Sequence, residues 1–376
     1  MPFDADDLPA LLAQLRSTAA ARDRAGGHAA AEKSTLAQAG LLRLSIPGAH
    51  GGDALAWSAL LRIVRSIATV DSALAHLLAF HHLQVATLLI YGNAAQQERW
   101  LAPTAGQDLW WGNAVNPKDD RLAAQRSGDG YLLQGDKRYC SGARGASFLT
   151  VSARDAQGDI ILGAVRADDG GITVREDWNA IGQRQTDSGS VHFASVPLAG
   201  ADILRGPGTP PQVRHTVRTC LGQLILVNLY AGLAQGALQE AVALPRSGPL
   251  PSSPDSAVLS RWGEAQVLSS TATAMADRAG GHFDALWAAG DGVTADQRKG
   301  AAVAIAEAKV VSHRAALRLG EELFELGGAR STHGDLALDR FWRNARTHTL
   351  HDPIDQKLAA LGRWSLEGDF PPGFYQ

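Results

Sequence analysis

The chain has 376 residues, 45% of them hydrophobic and 19% charged, a balance that fits a folded globular protein and excludes a disordered one. One core rarely grows to this length, so two or three packed units are expected. The formal charge is −3 and the basic residues are scattered, which excludes the electrostatic footprint of a protein that binds nucleic acid or an anionic membrane surface.

The chain opens on MPFDADDLPA, which is acidic and has no basic region ahead of an apolar run, so it does not read as a signal peptide. LPALLAQLRSTAAARD (8–23), WSALLRIVRSIATV (57–70) and SALAHLLAFHHLQVATLLIYG (72–92) repeat apolar residues at helical spacing. In the last of these Leu74, Leu77, Leu78, Val85, Leu88 and Leu89 line one stripe, with Asp71 placed to cap the start. Asn93 opens a further helix with Gln96 as its capping-box mate, and Pro103 is expected to end it. No apolar run has the uninterrupted length of a membrane span, so a cytoplasmic protein without membrane contact is expected. Near Trp110 the texture changes. YLLQGDKRYC (131–140), FLTVSAR (148–154), DIILGAV (159–165), GITVRE (171–176) and SVHFASV (190–196) are short, alternating or β-branched, which predicts antiparallel strands. GPGTPP (206–211) reads as a linker. Long helices follow over 218–244, 256–289 and 295–326, the last with Thr294 and Gln297 as a capping box and PLPSSP (249–254) between the first two.

Helices, then a β unit, then a helical bundle is an uncommon order. IPGAHGGD (46–53), GDKRYCSGA (135–143) and ELGGARSTHGDLALDRFWRNARTHTLHD (325–352) stand along it in the same sequence as three landmarks of the acyl-CoA dehydrogenases. The chain therefore resembles that family over almost its whole length. The resemblance implies an α+β chain with an N-terminal helical domain (1–109), a central antiparallel β domain (110–210) and a C-terminal four-helix bundle (211–376), with a flavin between the last two. Many family members place a catalytic glutamate after the arginine-rich helix, where this chain reads Leu350, His351, Asp352 and Pro353. The string NARTHTLHDP (344–353), the Asn-Ala at 113–114, the Ser-Gly at 141–142 and WNAIGQRQTDSGS (178–190) are similar to the branch that holds dibenzothiophene monooxygenase and the sulfur-acquisition oxidoreductases.

Site residues follow from that resemblance. Ser141 is expected beside flavin N5 with Tyr139 packed on the ring, and Asn113 at the pyrimidine edge or near bound oxygen. By position alone, Ser141 also fits a strand-end turn and Asn113 a loop. His351 stands where relatives place the group that touches the reacting centre, and an imidazole suits proton transfer near neutral pH; by itself it also fits a surface or helix-end histidine. Asp352 either orients it or starts a turn with Pro353. His76 and Phe80 share a helix face and are expected at the substrate, with Trp178 at the pocket wall; a buried structural histidine is the other reading of His76. Arg246 is expected on the flavin phosphate of a neighbouring subunit, with a solvated loop arginine as the other reading. No P-loop, strand-linked dinucleotide fingerprint or nucleophile elbow is present. Cys140 and Cys220 sit outside any C-x-x-C, and no metal site is expected. The activity implied is the oxygenase half of a two-component monooxygenase acting through a C4a-(hydro)peroxyflavin on a small organosulfur or aromatic substrate. Reduced FMN is favoured over FAD, supplied by an NAD(P)H:flavin reductase, in a homotetramer. Two alternatives stay open: an FAD-dependent acyl-CoA dehydrogenase with an unusual base, and a non-catalytic family member.

Overall fold

A computed structural model of the chain describes residues 3–244 and 255–373. Its N-terminal helices are α1 (Leu8–Ala25), α2 (Ala30–Gln38), α3 (Trp57–Ala68), α4 (Ser72–Tyr91) and α5 (Ala94–Gly106). The expected caps form. Asp71 accepts from the backbone N–H groups of Ala73 and Leu74, both at 3.0 Å, and Asn93 and Gln96 close a reciprocal box. Pro103 does not end α5, which runs on to Gly106. Proline's φ is already helical and only one intrahelical bond is lost. The Thr104 hydroxyl donates to the Trp100 carbonyl at 2.6 Å and the Gln107 N–H to the Pro103 carbonyl at 3.0 Å, which carries the last turn. Helix α2 was not foreseen, because AAEKSTLAQ buries only Lys33, Leu36 and Ala37 and shows no apolar stripe.

Helix α4 departs from the single stripe in the same instructive way. It is buried on nearly every side, because α3 and the C-terminal helices pack on it from one direction and the sheet from another. Two helices, Ser72–Tyr91 and Val213–Ala243, are in fact long and apolar enough to cross a membrane, contrary to the sequence expectation, but 89% of each apolar window is buried inside the protein. They are core helices.

The β unit holds β1 (Trp111–Ala114), β2 (Leu122–Ser127), β3 (Gly130–Lys137), β4 (Phe148–Arg154), β5 (Ile160–Arg166), β6 (Ile172–Val174), β7 (Val191–Leu198) and β8 (Ile203–Arg205). The sheet order is β6-β7-β3-β2-β4-β5-β8, with β1 beside β4. Pairing is antiparallel except that β1 and, at one residue, β2 run parallel to β4, so the sheet is mixed at its centre. A packed interior of Leu122, Leu133, Val151, Ile161 and Phe193 holds it together. A separate cluster welds it to α4 and α5: the rings of Trp100 and Trp111 each lie 5.0 Å from Phe148, beside Val85, Leu88 and Leu101.

The C-terminal helices are α6 (Val213–Ala243), α7 (Ser256–Ala288), α8 (Ala295–Gly327), α9 (Arg340–Thr349) and α10 (Ile354–Glu367). The described residues thus give five helices where a bundle of four was expected, with both α9 and α10 packing on α8. Thr294 and Gln297 form their capping box. Helix α6 lies so close to the end of α3 that a Cβ on Gly232 would stand 2.5 Å from the Arg65 carbonyl oxygen, and one on Gly236 2.3 Å from that of Thr69. Only glycine permits this approach. The linker expectation at 249–254 lies outside the described residues.

Candidate active site

Three segments meet at one end of the sheet, and backbone hydrogen bonds sew them together. The Asn113 N–H, on β1, donates to the Ser141 carbonyl at 3.0 Å; the Cys140 N–H donates to Gly189 O at 3.0 Å and the Gly142 N–H to Thr186 O at 3.2 Å. The 139–142 turn needs positive φ at Tyr139 and at Gly142. A Cβ on Gly142 would stand 3.2 Å from the Leu77 side chain, so the turn lies directly against α4. This brings Asn113 and Ser141 together, both buried. Cys140 beside them is a buried thiol pushed up to about 12, first by desolvation, and so stays protonated and unreactive.

The Ser141 hydroxyl begins a row of three. Its Oγ lies 2.6 Å from Ser188 Oγ, Ser188 Oγ–H donates to Thr186 Oγ1 at 2.8 Å, and Thr186 Oγ1–H donates to the Gln183 carbonyl at 2.8 Å. Gln183, with φ of 53°, is held from several sides. Its N–H donates to Asn344 Oδ1 at 2.6 Å, its side-chain amide donates to Ser72 Oγ at 2.9 Å, and its carbonyl also accepts from Trp178 Nε1 at 2.9 Å. Trp178 is half-buried by that bond. Tyr139 faces outward, 62% exposed, with its ring edge-on to Trp178 at 6.4 Å.

A second wall of the candidate site, on α4 and α9, is built of imidazoles. The rings of His76 and Phe80 stack at 4.0 Å, and His348 on α9 lies 4.8 Å from His76. The three histidines of α4 separate cleanly. His81 accepts from the Trp111 N–H at 3.2 Å and donates through Nε2 to Leu42 O at 2.8 Å; His82 donates through Nε2 to Leu41 O at 2.9 Å and takes Ser45 Oγ at Nδ1 at 2.7 Å. Both are satisfied structural groups, each fixed as one neutral tautomer. His76 instead has both ring nitrogens buried without a hydrogen-bond partner, as does Nδ1 of His348. An unmade buried hydrogen bond costs about 1–3 kcal/mol, so these atoms form a candidate face for a ligand with polar edges. Burial, and secondarily the nearness of His351, takes His76 down to about 3. Burial, then His76 itself, holds His348 well below the usual range. Both rings are neutral at neutral pH and each offers one donor and one acceptor.

His351 follows at the turn after α9, its side chain 53% exposed. It is not in the buried row, but it lies close enough to depress both His76 and His348. Its Nδ1 stands 3.6 Å from Asp352 Oδ1. Asp352 is sealed in the helical core, where it pairs with Lys309, which also donates to Gln223 Oε1 at 2.6 Å, and faces Lys357 at 3.8 Å. Burial alone would raise its carboxyl, but the His351 imidazole and the two lysine charges hold it at about 2. Arg246 lies outside the described residues.

His348 joins this cluster although the sequence shows it only inside the string 344–353, and Thr186 and Ser188 stand only inside the string 178–190. An imidazole three residues before His351 was a usable signal for the first. Nothing local marks the other two, since only the fold carries the 183–190 loop under Ser141. A neutral wall with open donors and acceptors, a buried amide and a hydroxyl row suits an uncharged, planar heterocycle with polar edges, as the isoalloxazine of a flavin is.

Comparison with known proteins bears on what that heterocycle is. Three family models match consecutive stretches: the acyl-CoA dehydrogenase N-terminal domain over 11–108, middle domain over 114–196 and C-terminal domain over 224–356. A probable FMNH2-dependent monooxygenase, SfnC of Pseudomonas putida, is 39% identical across 97% of this chain and 95% of its own length. Among solved structures, methanesulfinate monooxygenase MsuC from Pseudomonas fluorescens superposes with a TM-score of 0.94 at 40% identity, covering 99% of each chain. A complex of TdsC from Paenibacillus sp. A11-2 with FMN and indole superposes with a TM-score of 0.92 at 34% identity, again covering 99% of each.

Proposed function

The chain belongs to the acyl-CoA dehydrogenase family, and from that premise we propose that it is an FMNH2-dependent monooxygenase acting on a small organosulfur or aromatic compound. The reading is carried by one observation: both ring nitrogens of His76 and Nδ1 of His348 are buried without a partner beside Phe80, while Ser141 and Asn113 are buried at a turn whose Gly142 lies against Leu77 of the same helix α4. Reduced FMN, when bound, supplies the electrons that activate O2. The protein's own groups do the rest. Asn113 and Ser141 meet the polar edge of the ring system, Trp178 closes one side, Phe80 and His76 face the substrate, and His351 exchanges protons with solvent from its half-exposed turn. Burial of Asn113, Ser141 and His76 limits the access of water to the polar atoms of the candidate site. Arg246 serves the phosphate. Supply of reduced flavin by an NAD(P)H:flavin reductase, a cytoplasmic setting and a homotetramer belong to the same reading.

The position of Asp352 argues against α-proton abstraction. It stands beside His351, yet it is buried, paired with Lys309 and held at about 2, which leaves a poor base for a thioester substrate. The test is to load the protein anaerobically with FMNH2, add a sulfinate, a thiophene or an indole, and admit O2. Oxygenated product formed in proportion to O2 consumed is expected. Flavin reduction by acyl-CoA thioesters, or O2 consumption yielding only hydrogen peroxide with every substrate class, would overturn the proposal.

A further inference from the structure

The row of hydroxyls beneath Ser141 has a direction. A carbonyl oxygen has no proton to give, so at the Thr186–Gln183 contact of 2.8 Å Thr186 must donate. That commits its only hydroxyl proton. At the Ser188–Thr186 contact of 2.8 Å Thr186 must therefore accept and Ser188 must donate. Ser188 has now committed its own proton, so at the 2.6 Å contact with Ser141 the donor is Ser141. A hydroxyl has one proton and two lone pairs, and for all three bonds to exist together only this order works. The anchor is firm. The Gln183 peptide is clamped by Asn344 and Ser72, and its carbonyl is already the acceptor for Trp178. Thr186, Ser188 and Ser141 are all buried, so water does not scramble the row.

We propose that Thr186 and Ser188 polarise Ser141 into a hydrogen-bond acceptor toward the site, so that the protein selects reduced over oxidised flavin at N5. The inference rests on the functional reading above, which places Ser141 beside that atom. Reduced flavin carries a proton on N5 and can donate to the free lone pair of Ser141. Oxidised flavin has only a lone pair there. It meets another lone pair unless Ser141 swings its proton away from Ser188 and gives up that bond. The resemblance puts Ser141 beside N5 without a direction; the row makes it the acceptor. Selection of this kind suits a protein that must take up reduced flavin and let oxidised flavin go. It makes Ser188 and Thr186 specificity-determining residues that need not touch the flavin at all.

The test compares dissociation constants for FMN and for anaerobically prepared FMNH2 in the full-length protein. Wild type should bind FMNH2 more tightly, with this one contact contributing roughly 3- to 10-fold, the range expected of a single net hydrogen bond. Ser188→Ala releases the Ser141 proton, and Thr186→Val lets Ser188 turn round and donate to Ser141. Either change should tighten oxidised FMN by several-fold without tightening FMNH2. Thr186→Ser keeps the hydroxyl and should keep the wild-type ratio. Ser141→Ala should weaken FMNH2 by a similar factor and leave FMN no worse. A merely structural role for the row would instead weaken both forms together. Equal weakening, or a ratio that stays at its wild-type value in both Ser188→Ala and Thr186→Val, overturns the inference alone. Absence of binding by either form in wild type overturns it together with the functional reading.

Discussion

The two walls of the site handle protons in opposite ways. On the sheet side, Ser141, Ser188, Thr186 and Gln183 form a row in which every proton is committed and the order is imposed from one end. On the helix side, His76 and His348 have ring nitrogens with no commitment at all, and His351 reaches solvent. The first wall is suited to recognition, because its polarity is fixed before anything arrives. The second is suited to proton transfer, because a neutral imidazole can give at one nitrogen and take at the other. The contrast is one of backbone control. Loop 183–190 is held by carbonyls and amides, whereas the imidazoles hang from helices that satisfy their own backbones.

The largest expected effect breaks the reactive wall. In His351→Ala, coupled oxygenation should fall on the order of 100-fold, the usual contribution of a positioned acid–base group. FMN should stay bound and O2 should be diverted to hydrogen peroxide. Product yield per O2 consumed measures this, and normal coupling would move the role to His348. Next comes the foundation of that wall. Lys309→Met removes the main partner of buried Asp352, leaving Lys357 beside it, and should cost about 3 kcal/mol of stability, whereas Lys309→Met with Asp352→Leu removes both charges of the pair and should recover part of it. Urea titration of the two variants decides this. If the double variant is as weak as the single one, the pair is worth more than its desolvation cost.

The third prediction concerns acid. His76 and His81 are lowered to about 3 and about 4 by burial, while an unfolded chain titrates them near 6.5. Between those limits the unfolded state binds more protons, so stability should be fully present above about pH 6.5. It should fall on acidification toward pH 4, by roughly 1.4 kcal/mol per pH unit for each buried ring that remains neutral. A flat unfolding free energy over that window would mean that these rings accept protons in place. The smallest effect sharpens the comparison instead of breaking it. Phe80→Tyr adds a hydroxyl against the stacked His76 ring and offers it a donor. Stability should change by less than about 1 kcal/mol, while substrate preference moves toward polar compounds. Competition between a thiophene and a sulfinate would register the shift, and identical preference would take Phe80 out of the substrate face.

Much of this was legible in the sequence. The order of helices, strands and helices survives, as do the caps at Asp71, Asn93 and Thr294, because local hydrogen-bond chemistry is encoded within a few residues. Asn113, Ser141 and His76 could be proposed from aligned landmarks. What could not be read depends on partners far along the chain. His76, His81 and His82 look alike in sequence, and only the carbonyls of Leu41 and Leu42 reveal which two are structural. Pro103 was read as a stop because proline usually is one, yet a nearby hydroxyl and the following amide carried the turn. Asp352 looked free to orient His351 or begin a turn. Its burial against Lys309, 43 residues away, shows that it ties that turn into the core.

The clamp on Gln183 also sets a timetable. Its bonds reach across 161 residues to Asn344 and 111 residues to Ser72, so the anchor of the hydroxyl row cannot exist until all three units have docked. Closures that long are slow because the chain must surrender its freedom before the contacts return anything. The sheet should therefore gain its protection first and the site last, which means that a nascent or half-folded chain cannot hold flavin in a competent pose. Pulsed hydrogen exchange during refolding should find the Gln183 amide protected later than those of β4 and β5, and simultaneous protection would show that the loop adopts its clamped shape within the β unit alone.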